Sequence, residues 1–320
     1  MLGVALRDSG LRLSDLTALA RAADDAGYAS VWAPEVGSRD AIVLSALYGS
    51  VTRRTTVGTG VIPVFSRNVG ALSLAAAAAA EASDGRFVLG IGAGHRFTAE
   101  AWYGGKWQKP RARMRETIEV LRRIFSGERV SHNGTLRLDG FHLGSTPPEI
   151  PIYIGGLTPA TLRLAGEVAD GVILNWLPTD GIEKAALLAR ESAADAGRRV
   201  RVIAYVRTAV VDHPAQEHDA RVALREQTYA YLSLPNYANS VRQVGFGHEL
   251  DDMAAGREKA IDTLVDALCA WGDATAARKT IGAYIDAGID SVIVYPVPFG
   301  DDPATSVLRT IRALAGPSAR

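Results

Sequence analysis

His95 stands directly after three glycines at alternate positions, Gly90, Gly92 and Gly94, in Phe87-Val-Leu-Gly-Ile-Gly-Ala-Gly-His95. An imidazole at the end of a strand can give or take a proton near neutral pH. Alternating glycines leave room for a planar group beside it. A second stretch, Gly155-Gly156-Leu157-Thr158-Pro159, also follows a short apolar strand pattern. Glycine lets the backbone come close to a ligand, and Pro159 fits the first position of a helix, where no N–H is needed. Exposed N–H groups at such a helix start can hold a phosphate without any lysine or arginine in the loop. The plainer reading is a strand–helix connection capped by Thr158. Glu35, just past an earlier strand pattern, is a second acid–base candidate. Asn175-Trp176 can hydrogen-bond and stack on an aromatic ring, although Trp176 can equally just fill space. Tyr205, Arg207 and Tyr295 fall at or near the ends of later strands.

Strands and helices must alternate to bring these residues together, and the chain reads that way. Strand patterns fall at Gly3–Leu6, Ser30–Ala33, Thr56–Val61, Phe87–Ile91, Ile152–Ile154, Gly171–Asn175, Val200–Val211 and Ser291–Tyr295. Between them lie helical patterns, among them one capped by Ser14 and one opened by Pro110. In the latter, Met114, Ile118, Leu121, Ile124 and Phe125 recur every three or four residues. Residues 129–143 read as a hairpin turning at Asn133-Gly134. Eight strands alternating with helices favour a (β/α)8 TIM barrel over an open doubly wound sheet. The open sheet usually carries its glycine fingerprint at the first turn, and Arg7-Asp8-Ser9-Gly10 is a poor match. We expect a single domain over 1–320. Insertions fall near 96–149 and 232–257, the second without regular structure, and such segments often act as lids or substrate walls.

Composition narrows the function. The 320 residues carry 35 Lys+Arg and 35 Asp+Glu, so no net charge favours nucleic acid or an anionic membrane. Cys269 is the one cysteine, and no Cys/His spacing suggests a metal. No leader pattern opens the chain, and the apolar run at 71–82 is too short to span a bilayer. A cytoplasmic protein is expected. Arg111, Arg113, Arg115, Arg122 and Arg123 share one helix and read as a solvated face paired with Glu116 and Glu119.

Several segments, in order, resemble the luciferase-like monooxygenase superfamily. They are Gly27-Tyr-Ala-Ser-Val-Trp32, Ser38-Arg-Asp40, Gly58-Thr-Gly-Val61, Ser66-Arg-Asn68, Asp84-Gly-Arg-Phe-Val-Leu-Gly-Ile-Gly-Ala-Gly94, and Ile152 through Gly171. The likeness is greatest to the branch using the deazaflavin F420, which includes methylenetetrahydromethanopterin reductase and the F420-dependent glucose-6-phosphate and alcohol dehydrogenases. It implies a barrel with insertions, commonly a homodimer, with F420 as cofactor and a small organic substrate. It also implies a non-proline cis peptide at Gly60-Val61 backing one face of the deazaflavin. The phosphate would meet Gly155, Gly156, Leu157 and Thr158, and Gly92, Gly94, Asn175 and Trp176 would complete the cofactor site. Hydride would pass between C5 and a substrate carbon, with His95 first and Glu35 second as proton carriers. Glu35-Val36 replaces an Asp-His pair common in the family, and Ala5 replaces an acidic residue of the methanopterin reductases, which argues against pterin reduction. An FMN-dependent monooxygenase and a non-catalytic flavin-binding barrel are the alternatives.

Overall fold

The computed structural model describes residues 1–7 and 10–316. Asp8 and Ser9 of the first turn lie outside the described residues. Strand β1 is Leu2–Ala5, followed by α1 (Leu13–Asp25), β2 (Ser30–Ala33), α2 (Ala41–Val51) and β3 (Thr56–Thr59). A two-residue β4 (Ile62–Pro63) precedes α3 (Val69–Ala82) and β5 (Phe87–Gly92). A π-helical turn at Thr98–Trp102 leads to α4 (Pro110–Phe125) and an antiparallel hairpin, β6 (Val130–Asn133) and β7 (Arg137–Phe141). Then come β8 (Ile152–Gly155), α5 (Pro159–Val168), β9 (Gly171–Asn175), α6 (Thr179–Asp195) and β10 (Arg201–Val210). The last third holds α7 (Glu217–Leu232), α8 (Pro235–Arg242), α9 (Gly247–Ala254), α10 (Glu258–Leu268), β11 (Cys269–Gly272), α11 (Ala274–Asp286), β12 (Ser291–Pro296) and α12 (Pro303–Leu314).

Eight strands close a parallel barrel. β1 pairs with β2 and β12, β2 with β3, β3 with β5, β5 with β8, β8 with β9, β9 with β10, and β10 with β12. The fold is the (β/α)8 TIM barrel. A strand here is covered on both sides, by helices outside and by other strands within, so it reads as a run of apolar residues: all six of β5 are buried. The interior is unusually aromatic, with Trp32, Tyr153, Tyr205 and Tyr295 packed among Ile173, Ile203 and Ile293. Ala5 is fully buried in that same cluster.

Several expectations needed adjusting. The N-cap of α1 is Arg12, bonded reciprocally with Asp15, and not Ser14. The third strand ends at Thr59, and the chain rejoins the sheet at β4. The segment 232–257 is regular: it contains α8 and α9, whose apolar faces join α7 and α10 in a second hydrophobic cluster beside the mouth. Pro235 at the first turn of α8 was the available sequence signal. β11 extends the sheet by pairing with the upper half of the long β10. The arginines of α4 mostly bond other elements: Arg115 pairs with Glu167, Arg122 with Asp170, and Glu116 accepts from Thr135 N at 2.7 Å and pairs with His132. Among the described residues, no helix is long and apolar enough to cross a membrane.

Candidate active site at the barrel mouth

A cavity of about 540 Å³ opens at the C-terminal ends of the strands, the usual place for chemistry in this fold. One wall is the turn after β3, where the Gly60-Val61 peptide is cis. The glycine stripe of β5 explains how that turn fits. A Cβ on Gly90 would lie 1.9 Å from Thr59 O, one on Gly92 would lie 2.6 Å from Val61 Cγ2, and one on Gly94 would lie 2.9 Å from Pro63 Cβ. Each alternate glycine therefore makes room for an alternate residue of the neighbouring chain. The stripe seats the cis turn, and the turn presents Val61 to the cavity. Gly60 is equally constrained, since a Cβ there would fall 1.7 Å from Tyr205 Oη.

The opposite end of the cavity is the start of α5. Thr158 is its N-cap, accepting from Thr161 N at 3.3 Å, and Pro159 occupies the first turn. Gly156 N–H is already bonded to Ile173 O at 3.2 Å. Among the described residues, the N–H groups of Leu157 and Thr158 have no protein acceptor. Those two face-free donors, at the positive end of a helix, are what an anionic group would meet. Gly92, Gly94, Gly155, Gly156, Leu157 and Thr158 all line the cavity.

His95 lines the cavity too, with its ring 6.2 Å from that of Tyr237. Its imidazole has no hydrogen-bond partner among the described residues, and burial lowers its pKa from the usual 6.5. At neutral pH it is therefore an uncharged base free to meet a ligand. Glu35 also lines the cavity but is engaged. Both its carboxylate oxygens accept from Arg67 Nη2 at 2.7 Å, and Ala41 N–H donates at 3.3 Å. Burial pushes its pKa up, against the pull of Arg67. Arg67 also holds Asp40 at 2.7 Å, while Asp40 caps α2 and Asn68 caps α3. The segments Ser38-Arg-Asp40 and Ser66-Arg-Asn68 are thus one clamp that fixes the loops around Glu35.

The floor centres on Arg207, which lies on the cavity lining yet is only 2% exposed. Its Nη1 donates to Asn175 Oδ1 at 2.6 Å, and Asn175 Nδ2 donates to Tyr237 Oη at 3.3 Å. Its guanidinium lies 3.9 Å from the ring centre of Tyr295, 4.5 Å from Trp176 and 4.8 Å from Tyr231. Trp176 is behind this wall and does not line the cavity. Its φ of +55° is one a bulky residue adopts only when its surroundings hold it there. The roof comes from the two long segments: Thr98, Trp102 and Tyr103 from one, Leu234, Asn236 and Tyr237 from the other. Arg111, in the first turn of α4, lines the cavity as well. Sequence reasoning had no means to find Tyr103, Tyr237 or the role of Arg67, because each depends on loop geometry. Among the described residues, no group of three His, Cys, Asp or Glu is placed to hold a metal.

A closed parallel barrel with a cis turn after β3 and a glycine-walled cleft at its C-terminal rim defines a class, and comparison with known proteins agrees. The chain belongs to the luciferase-like monooxygenase family, whose model matches residues 2–291. It is similar to the 5,10-methylenetetrahydromethanopterin reductase of Archaeoglobus fulgidus, with 34% identity over 167 residues, 52% of this chain and 50% of that protein. The match thus spans only half the length of that relative. It is similar over more of its length to a putative coenzyme F420-dependent oxidoreductase of Mycobacterium tuberculosis, with 28% identity over 86% of this chain and 89% of that one. An F420-dependent secondary alcohol dehydrogenase, solved in complex with an F420-acetone adduct, shares the fold: TM-score 0.79 at 18% identity, covering 99% of each chain.

Proposed function

We propose that this protein is an F420-dependent oxidoreductase acting on a small organic substrate. The observation that carries the reading is the continuous cleft from the cis Gly60-Val61 turn to the start of α5. The residues present fit the cofactor. Gly60 and Val61 offer an apolar wall for the ring, and the free N–H groups of Leu157 and Thr158 suit its phosphate. Gly156 supports that loop through its bond to Ile173 and does not donate to the ligand. When bound, F420 would supply hydride chemistry at C5 of its deazaflavin ring. The chain's own groups do the rest. Val61 would cover one face of the ring, leaving substrate to approach from the other, beneath Trp102, Tyr103 and Tyr237. His95, neutral and without a protein partner, takes or returns the substrate proton at an imidazole nitrogen. Glu35 keeps Arg67 and the surrounding loops in place and is the reserve proton carrier. Family likeness supports a cytoplasmic homodimer, one domain over 1–320 with insertions, and no nucleic-acid or membrane partner.

The test is turnover with F420 and a panel of secondary alcohols, aldehydes and enones, followed through the cofactor's visible absorbance with and without air. Turnover that needs no oxygen supports the proposal. Turnover only with reduced FMN and oxygen would replace it with a monooxygenase, and cofactor binding without turnover on any substrate would leave a binding barrel.

A further inference from the structure

The floor of the cavity carries a positive charge that the protein leaves uncompensated. Among the described residues, no carboxylate pairs with Arg207. Its Nε is buried with no hydrogen-bond partner, although the residue is 98% removed from solvent. Rings of Tyr295, Trp176 and Tyr231 surround the guanidinium and Asn175 occupies one nitrogen, which holds the fork in a fixed plane. Two residues earlier on β10, and so on the same face of the strand, Tyr205 Oη is also buried without a partner. Burial raises the Tyr205 pKa well above its usual value, so the phenol stays a donor. Both side chains line the cavity. Two buried donors without a protein acceptor, one charged and planar, on one face of β10 at the cavity lining, suit the two oxygens of a carboxylate. Buried donors left unpaired are costly, and a ligand that supplies the acceptors removes that cost.

We propose that the substrate is an organic acid, with its carboxylate on Arg207 and Tyr205 and its apolar body on the side of the cleft away from Val61, beneath Tyr237. This rests on the oxidoreductase reading of the same cavity. Benzoate and benzamide, equal in shape and different in charge, are the probes, measured by calorimetry on the full chain before and after saturation with F420. F420 binding is read on the same samples, so failure of the cofactor reading and failure of the carboxylate reading are seen separately. The expected result is benzoate bound at least about tenfold more tightly than benzamide, with the preference kept in the F420-saturated protein. Arg207→Met should remove that preference, and Arg207→Lys should keep part of it. The wild-type comparison needs no variant, so a misfolded Arg207→Met leaves the test intact. Equal binding of the two probes, a preference unchanged in Arg207→Met, loss of benzoate binding once F420 is bound, or displacement of benzoate by equimolar inorganic phosphate would each overturn the proposal.

Discussion

Two titratable residues, His95 half-buried and Asp24 buried, show how environment sorts chemistry from architecture. His95 has lost water and gained no partner, so its pKa falls. An unfolded chain takes up this proton near pH 6.5, whereas the folded site resists until lower pH. Its contribution to stability is therefore full above 6.5 and declines as pH falls through that window. Activity that uses the neutral imidazole should hold steady to a pH below 6.5 and then drop. In His95→Ala we expect turnover to fall roughly 100-fold, with F420 affinity unchanged and the acid limb of the pH profile gone. Full turnover in that variant would remove His95 from the mechanism. Asp24 is the architectural case. Burial alone would raise its pKa, but Thr55 Oγ1 and the N–H groups of Arg53, Arg54 and Thr55 hold it down to about 2. Relative to 3.8, that shift corresponds to about 2 kcal/mol of stability at neutral pH. The depressed carboxyl contributes above pH 3.8 and loses its contribution as pH falls toward 2. Asp24→Asn should cost about that much in urea unfolding at pH 7, and an unchanged midpoint would contradict the assignment.

At the scale of elements, the cleft depends on β5 yielding space to the turn after β3. In Gly92→Ala the new methyl would sit 2.6 Å from Val61 Cγ2, on a β-branched side chain with little freedom to move. We expect F420 affinity to fall about tenfold or more, about 1.4 kcal/mol, while the far-ultraviolet circular dichroism stays that of the wild type. Unaltered affinity would mean that Val61 does not shape the wall. The same glycines show where a sequence stops being legible. Their alternation and their place before His95 marked the site, but what each one accommodates is a neighbouring strand 31 residues or so away, and that needs coordinates. The eight barrel strands were legible because each is a largely apolar run between turn residues, and all but the long β10 are short. β11 was not, because Cys-Ala-Trp-Gly is too short and too mixed to carry a period. The helices α8 and α9 escaped because each is only two turns long and its polar residues mask the apolar face. Glu35 was found by type and position, but its engagement by Arg67 joins residues 32 apart, which no local pattern reveals.

For the whole molecule, the barrel supplies a ring of strand ends and the two long connecting segments supply the roof above it. The start of α5, the cis turn and His95 each follow directly on a barrel strand, whose ladder fixes where they begin. The roof comes from the π-helical turn after β5, which contributes Trp102, and from α8, which contributes Tyr237. On the proposed reading, the cofactor is held at the strand ends, and the substrate lies between the segments above them and Arg207 and Tyr205 of β10. The central claim is that the cleft is shaped for F420. The direct measurement is a fluorescence titration of the purified full chain with F420 and, separately, with FMN. Saturable binding of F420 at micromolar concentration or below, with markedly weaker binding of FMN, is expected. Preference for FMN, or saturation by neither, would contradict it.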